Sequence, residues 1–83
     1  MSMIFLTFRE YMDAREASGI LKKRGIKAKL SRTPGVLAKN GCGYGIWIPG
    51  VQQNSTMEEL KKLSIRHEKA YLYDGKNYRE MET

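Results

Sequence analysis

Short segments that switch between strand and helix periodicity restrict the fold of this chain more than any other feature. Residues 3–8 are rich in apolar and aromatic side chains and predict a first strand. Asp13 and Glu16 have the spacing of a capping box, an apolar stripe at helical spacing follows, and Gly25 is a typical stop signal, so a helix is predicted there. Alternation over residues 26–31 then predicts a second strand with one face in solvent.

The same order repeats in the second half of the chain. A strand is predicted from about Gly43 to Ile48, and the capping-box spacing of Ser55 and Glu58 predicts that a second helix follows. Residues 69–73 form the last predicted strand. A compact chain with this order most simply adopts an α+β fold, the ferredoxin-like βαββαβ arrangement. In it, two helices cover one face of a four-stranded antiparallel sheet.

The length of 83 residues is enough for one domain and too short for two. We expect a single ferredoxin-like α+β domain over residues 1–74 and a loosely ordered C-terminal tail over residues 75–83. No apolar run approaches the roughly 20 residues that cross a bilayer. The first residues lack the basic start and the cleavage site of a signal peptide. These features predict a cytoplasmic protein without contact with a membrane.

Strand alternation also predicts what each face of the sheet carries. If Ile4 and Leu6 point toward the helices, four aromatic residues point the other way. These four form the predicted partner surface: Phe5, Trp47, Tyr71 and Tyr73. Lys27 and Lys29 lie at one edge, and the first and third strands are expected to be neighbours at the sheet centre, which brings Phe5 close to Trp47. A contiguous apolar patch of this kind normally marks a contact site.

Three occupants of this face stay open at the level of sequence. A second copy packed sheet to sheet gives a homodimer, another protein gives a heteromeric complex, and RNA bases can stack on aromatic rings. The third strand lacks the basic residue and the aromatic spacing of RNA-recognition modules. The formal charge of +6, from 15 Lys and Arg against 9 Asp and Glu, favours anionic partners. The charges are dispersed along the chain, however, as on an ordinary solvated surface.

Cys42 is the only cysteine of the chain, so it forms no intrachain disulfide and stays a free thiol in a reducing compartment. It lies in the densest glycine cluster, where the absence of flanking side chains lets backbone N–H groups approach the sulfur. Nearby positive charge and N–H donors lower the pKa of a thiol and enrich the thiolate. The predicted environment of the thiol consists of Arg32, Lys39, Asn40, Gly41 and Gly43.

A buried core cysteine is the alternative interpretation, because free cysteine commonly acts as a small apolar residue. In a straight strand Cys42 has the same parity as Ile46 and Ile48 and points inward. Only a bulge, or a strand that starts at Gly43, changes that direction.

Other chemical sites have little support in the sequence. One histidine and one cysteine do not make a structural zinc site, so no metal and no cofactor are predicted. His67 falls on the predicted second helix with nothing to place it near Cys42, which does not favour a Cys–His hydrolase. A second cysteine for a dithiol cycle and a P-loop are both missing. Whether the chain is an enzyme stays open, and it carries no motif of a conventional one.

Three stretches, residues 13–26, residues 31–34 and Cys42-Gly43, resemble a family of small bacterial proteins called selenium/sulfur carrier-like, formerly a domain of unknown function. The resemblance covers about residues 3 to 73. It implies a single-cysteine protein that holds sulfur or selenium as a persulfide or selenosulfide. Cys42 would be the carrier and Gly43 its small neighbour, with a protein donor and a protein acceptor as partners. The chain departs from the family pattern at Asn40-Gly41 and lacks the Cys-Pro-x-Pro motif of better-known sulfur-transfer proteins.

Together these features predict a persulfide-type carrier or thiol-transfer accessory protein. The alternatives are a non-catalytic binding or adaptor module that acts through the aromatic sheet face, and a small basic nucleic-acid-binding domain.

Overall fold

The computed structural model describes residues 2–38 and 43–81. Its elements, in chain order, are β1 (Met3–Phe8), α1 (Tyr11–Lys23), β2 (Lys29–Arg32), β3 (Tyr44–Pro49), a short 3₁₀ turn (Gly50–Gln52), α2 (Gln53–Leu63), β4 (Lys69–Tyr73) and β5 (Tyr78–Met81). Within these two ranges, no helix combines the length and the apolar character that a membrane span requires.

The strands form one sheet in the order β2-β3-β1-β4-β5, and all neighbours are antiparallel. The predicted α+β class, with two helices and an antiparallel sheet, is confirmed. β1 and β3 are neighbours in the middle of the sheet, and Phe5 lies directly opposite Trp47, as expected. The predicted number of four strands is wrong, because β5 adds a fifth strand beside β4, and the four-stranded ferredoxin-like arrangement is not confirmed.

β5 forms within the segment that the sequence assigns to a loosely ordered tail. A tight turn creates it: the Asp74 carboxylate accepts hydrogen bonds from the backbone N–H groups of Lys76 and Asn77, both at 2.8 Å. The turn returns the chain so that Tyr78 lies opposite Tyr73. Asp74-Gly75, at the start of the four residues between Tyr73 and Tyr78, is a recognisable turn signal, and the sequence-based assignment of a tail did not use it.

The helix-covered face of the sheet holds a compact aliphatic core, and its membership confirms the predicted direction of the strand residues. Both helices contribute to this core, which places them on the same face. The fully or almost fully buried members include Ile4, Leu6, Phe8, Ala14, Ala17, Leu21, Ile46, Ile48, Leu60 and Ala70. A fully buried Leu or Ile stabilises a fold by about 1.5–3 kcal/mol, so this face supplies much of the driving force for folding.

Both helices begin earlier than their capping-box patterns predict. α1 starts at Tyr11, so Asp13 lies inside its first turn, where a carboxylate interacts favourably with the helix dipole. α2 starts at Gln53 because the preceding 3₁₀ turn already directs the chain into the helix. Thr56 is completely buried, and its hydroxyl donates to the Gln52 carbonyl at 2.8 Å rather than capping the helix end.

The ends of the helices follow local backbone geometry. Gly25 ends α1 as predicted, and the N–H of Ile26 donates back to the carbonyl of Leu21 at 3.0 Å. α2 ends just before Ser64, which adopts a left-handed conformation with a φ of 56°. The prediction that His67 belongs to the second helix is therefore wrong, because the chain has already turned toward β4.

β2 is shorter at its start than predicted. The backbone N–H of Lys27 donates to the side-chain oxygen of Gln52 at 2.9 Å rather than to a neighbouring strand, so regular pairing begins only at Lys29. The amide nitrogen of Gln52 in turn donates to the Gly25 carbonyl at 3.2 Å. The Gln52 side chain thus connects the 3₁₀ turn to the segment that precedes β2.

Candidate functional site

The structure does not describe the thiol itself or three of the residues expected around it. Cys42, Lys39, Asn40 and Gly41 all lie outside the described residues. The predicted exposure, direction and activation of the Cys42 thiol therefore stay predictions. The structure does describe Gly43 and Arg32, which stand on either side of this segment. Their geometry defines the thiol end of the sheet, where β2 ends and β3 begins.

Gly43 does not continue the geometry of β3. Its φ is +136°, which L-residues with a side chain rarely adopt, and regular strand structure begins at Tyr44. The Gly43 carbonyl accepts a hydrogen bond from the Thr33 N–H at 3.0 Å, and a Cβ built on Gly43 would lie 3.2 Å from the Thr33 hydroxyl oxygen. Because the alternation of β3 does not extend through Gly43, parity with Ile46 no longer argues for a core cysteine.

Arg32 is the last residue of β2 and lies directly across from Tyr44. Its side chain is exposed, and it takes no part in an ion pair among the described residues. On the other side of β3, the rings of Tyr44 and Tyr11 meet edge to face with centroids 4.8 Å apart. This contact packs the first residue of β3 against the first residue of α1, at the end of the sheet where Gly43 lies.

His67 lies in the loop before β4, at the same end of the sheet as Gly43. A small crevice of about 310 Å³ there is lined by charged residues of both signs, including Arg9, Glu10 and Glu68. Burial lowers the pKa of the His67 imidazole below its usual value of 6.5. Because β1 separates β3 from β4, the two loops start about 10 Å apart, two strand spacings.

The face of the sheet opposite the helices carries the predicted aromatic residues, together with one that the sequence analysis missed. The Trp47 ring lies 4.9 Å from that of Phe5 and 5.7 Å from that of Tyr73, between ring centroids. Tyr78 of β5 stacks on Tyr73 with centroids 4.5 Å apart and also contacts Trp47. We call Phe5, Trp47, Tyr73 and Tyr78 the aromatic cluster. Tyr71, the Cα partner of Phe5 on β4, is half-buried beside it.

Phe5 differs from the expectation in one respect. It points away from the helices as predicted, yet 0% of its surface is exposed, because the cluster covers it. Its ring lies over Gly45: a Cβ at Gly45 would come within 2.6 Å of the ring and would collide with the Leu6 carbonyl. Phe5 is therefore a buried support of this face, and among the four predicted residues the half-buried Trp47, Tyr71 and Tyr73 are those that reach the surface.

A groove of about 800 Å³ opens at the end of this face that is remote from Gly43. Its apolar wall is formed by Met3, Trp47, Pro49, Val51 and Tyr73. Its polar rim is formed by Lys27, Lys29 and Gln52. We call this the Trp47 groove. Within residues 2–38 and 43–81, no group of His, Cys, Asp and Glu is arranged to hold a metal ion.

Comparison with known proteins gives one match. Residues 3–72 match the protein family described as "Putative Se/S carrier protein-like". This range includes β1 to β3, β4 except for its last residue, both helices, Gly43 and the thiol segment. No curated protein and no solved structure gave a match.

Proposed function

The chain belongs to the Se/S carrier protein-like family, and from this premise we propose that Cys42 accepts a sulfur or selenium atom from one protein and delivers it to another. The observation that carries the proposal is that the matched range contains the single cysteine of the chain. A carrier needs one nucleophilic thiol and a surface for its partners, and it needs no second cysteine.

The chemistry balances without an external oxidant. The Cys42 thiolate attacks the terminal sulfur of a donor protein's persulfide; a new S–S bond forms on Cys42, and the bond to the donor sulfur breaks, so the donor leaves as a thiolate. An acceptor thiolate then attacks the terminal sulfur on Cys42, which releases the Cys42 thiolate again. A selenium atom would form a selenosulfide by the same displacement.

The surroundings of the thiol segment support this role. The residue after Cys42 has no side chain and a backbone conformation that a larger residue would adopt only with strain. The exposed guanidinium of Arg32 lies across from Tyr44 and adds positive charge at this end of the sheet. Positive charge favours the thiolate over the thiol. A reducing cytoplasm is the proposed location, since a lone thiol stays reduced there.

A binding or adaptor module with an idle thiol is the second candidate, and the Trp47 groove is the observation that favours it. The groove offers an apolar wall and a rim with two lysines at the opposite end of β3 from Gly43. Under the carrier proposal the same face docks the donor and acceptor proteins. Under the adaptor proposal it is the whole functional surface, and Cys42→Ser changes nothing.

The test combines reactivity with loading. We expect folded protein to react with iodoacetamide with an apparent pKa well below the ordinary thiol value of about 8.5. Incubation with a cysteine desulfurase and cysteine should add the mass of one sulfur atom, read by intact mass spectrometry and reversed by a thiol reductant. Cys42→Ser is the null variant, because it removes the only cysteine. Protection of Cys42 from alkylation until the chain unfolds, with no added sulfur, would refute the carrier proposal.

A further inference from the structure

The Trp47 groove has a rigid rim. The side chain of Gln52 holds both the Lys27 N–H and the Gly25 carbonyl, at 2.9 and 3.2 Å. On the other side, the Gly50 N–H donates to the Ser2 carbonyl at 2.9 Å, which ties the 3₁₀ turn to the start of β1. A cleft that is already formed binds a partner without the cost of ordering loops.

The exposed part of the groove groups several large apolar side chains in one place. Val51, at the outer edge of the 3₁₀ turn, is 92% exposed. Trp47 forms the wall behind it, flanked by Pro49. A large solvated aliphatic side chain beside a tryptophan is a typical anchor position for an apolar side chain of a partner.

The charges on the rim have one sign. Lys27 and Lys29 line the groove, and no carboxylate of residues 2–38 and 43–81 does so. Lys29 lies directly across from Trp47, so its side chain emerges beside the indole ring. Among the described residues neither lysine is in an ion pair. The rim therefore matches a ligand that places negative charge next to an apolar group.

We propose that the Trp47 groove binds an acidic segment of the protein that exchanges sulfur or selenium with Cys42, with one apolar side chain against Trp47 and Val51 and carboxylates beside Lys27 and Lys29. The identity of this partner rests on the proposed function, whereas the preference for an acidic, apolar-anchored peptide rests on the groove alone. Trp47 lies four positions after Gly43, about 13 Å along a strand. A peptide segment in the groove therefore leaves the thiol end free, and the remainder of a partner interface of ordinary size extends over that end.

Two other occupants fit the groove less well. A second copy would need a self-complementary patch, but the charged side chains that the structure describes on this rim are both lysines, and each copy carries a formal charge of +6. Single-stranded nucleic acid needs free aromatic faces for stacking. Here the Trp47 ring is already packed against Phe5, Tyr73 and Tyr78.

The experiment selects twelve-residue peptides from a random displayed library against the full-length chain. We expect the enriched peptides to combine Asp or Glu with a large apolar residue. Trp47 is the only tryptophan of the chain, so its fluorescence reports binding at the groove itself. Val51→Asp should weaken a selected peptide about tenfold, because it removes apolar contact and adds a like charge. Val36→Asp is the matched control, since Val36 is 80% exposed outside the groove, and it should leave the affinity unchanged.

The charge part of the proposal has its own pair of variants. Lys29→Glu should weaken the peptide about threefold to tenfold at low salt, and the difference should shrink as salt screens the charges. Arg15→Glu makes the same change of net charge from an exposed position on α1 and should leave binding unaltered. Both reversals concern exposed side chains, so the folded state is retained and can be verified by circular dichroism.

Several outcomes would overturn the docking proposal. They are failure to enrich any peptide, enrichment of basic or uncharged peptides, and equal binding to the wild-type and Val51→Asp chains. Stronger quenching of Trp47 by a twelve-residue oligothymidylate than by the selected peptide would assign the groove to nucleic acid. A concentration-dependent doubling of mass that Val51→Asp abolishes would assign it to a second copy.

Failure of this proposal is distinguishable from failure of the carrier proposal. Cys42→Ser should bind the selected peptide with unchanged affinity, because Gly43, the residue next to the cysteine, lies at the end of β3 remote from the groove. A chain that binds the peptide and never accepts sulfur refutes the carrier role alone. A chain that accepts sulfur while the bound peptide leaves its transfer rate unchanged refutes the assignment of the groove to the sulfur-exchanging partner.

Discussion

On one face of the sheet two helices cover aliphatic side chains, and on the other face aromatic rings from the strands cover one another. The helix side buries Ile4, Leu6 and their neighbours in the usual way. The open side seals Phe5 completely with Trp47 and its contacts, without a helix above it. The open face is thus a thin second core whose outer rings are also the available binding surface. Under the docking proposal, the side chains that contact a partner there also stabilise the fold.

The strongest test of this comparison uses two adjacent residues of β1. Phe5→Ala and Leu6→Ala should each lower the free energy of unfolding by about 3–5 kcal/mol, because both side chains are completely buried on opposite faces. Urea denaturation of the two variants beside wild type provides the measurement. A loss below about 1 kcal/mol for Phe5→Ala alone would mean that the open face is only a surface patch, and the comparison would fail.

A smaller effect is expected where the aromatic cluster approaches the backbone. Gly45→Ala should lower the free energy of unfolding by about 2–3 kcal/mol, because its Cβ would press on the Phe5 ring and the Leu6 carbonyl. Gly19→Ala is the control: Gly19 lies in α1 with open space around it, and the variant should be about 0.5–1 kcal/mol more stable. Thermal unfolding distinguishes the two, and a neutral Gly45→Ala would contradict the close packing of the ring.

The contribution of β5 to the open face is smaller again. Tyr78→Ala should lower the free energy of unfolding by about 1–2 kcal/mol, since it removes a ring stacked on Tyr73 and in contact with Trp47. The emission of Trp47 should shift to longer wavelength as water reaches the indole. Arg79→Ala, an exposed neighbour on the same strand, should change neither quantity. An unchanged Trp47 spectrum in Tyr78→Ala would show that β5 does not cover the cluster.

The smallest predicted effect concerns pH and the helix-covered side, where His67 borders a crevice with Leu60 and Ile65. Burial lowers the pKa of His67 in the folded chain. The unfolded chain therefore binds the proton more readily than the folded chain. As a result, the free energy of unfolding falls as the pH drops from 6.5 toward the lower pKa of the folded state. Above pH 6.5 the contribution of His67 to the free energy of unfolding is constant. His67 is the only histidine, so His67→Gln should flatten urea midpoints between about pH 7 and 5.5. If the urea midpoints of wild type and His67→Gln changed equally with pH, His67 would not be the source of the pH dependence.

Local patterns were enough to predict most of the elements. Alternation placed Ile46 and Trp47 on opposite faces, and the stop at Gly25 was recognisable from sequence, because both depend on neighbouring residues only. Patterns failed at boundaries: two capping-box spacings fell inside helices rather than at their starts. The assignment of His67 to α2 failed because helical periodicity continues in the sequence past Ser64, where the backbone has already turned.

For the candidate site, sequence reasoning identified the types of residue and could not supply their assembly. Trp47 and Tyr73 were expected on one face, yet the groove beside them also depends on Val51 and on the Gln52 bridge to Lys27. These contacts join residues about 25 positions apart, and no short-range pattern encodes them. The role of Cys42 stays a prediction from its uniqueness and from the family.

By itself, the sequence determined the periodicities, the two-faced pattern of the strands, the net positive charge and the presence of one thiol, because each follows from residue type and spacing along the chain. Only the tertiary structure decided that Tyr78 joins the sheet, that Phe5 is sealed from solvent and that a cationic, apolar groove opens beside Trp47. These features arise where distant segments meet, and the space between packed surfaces is a property of their assembly.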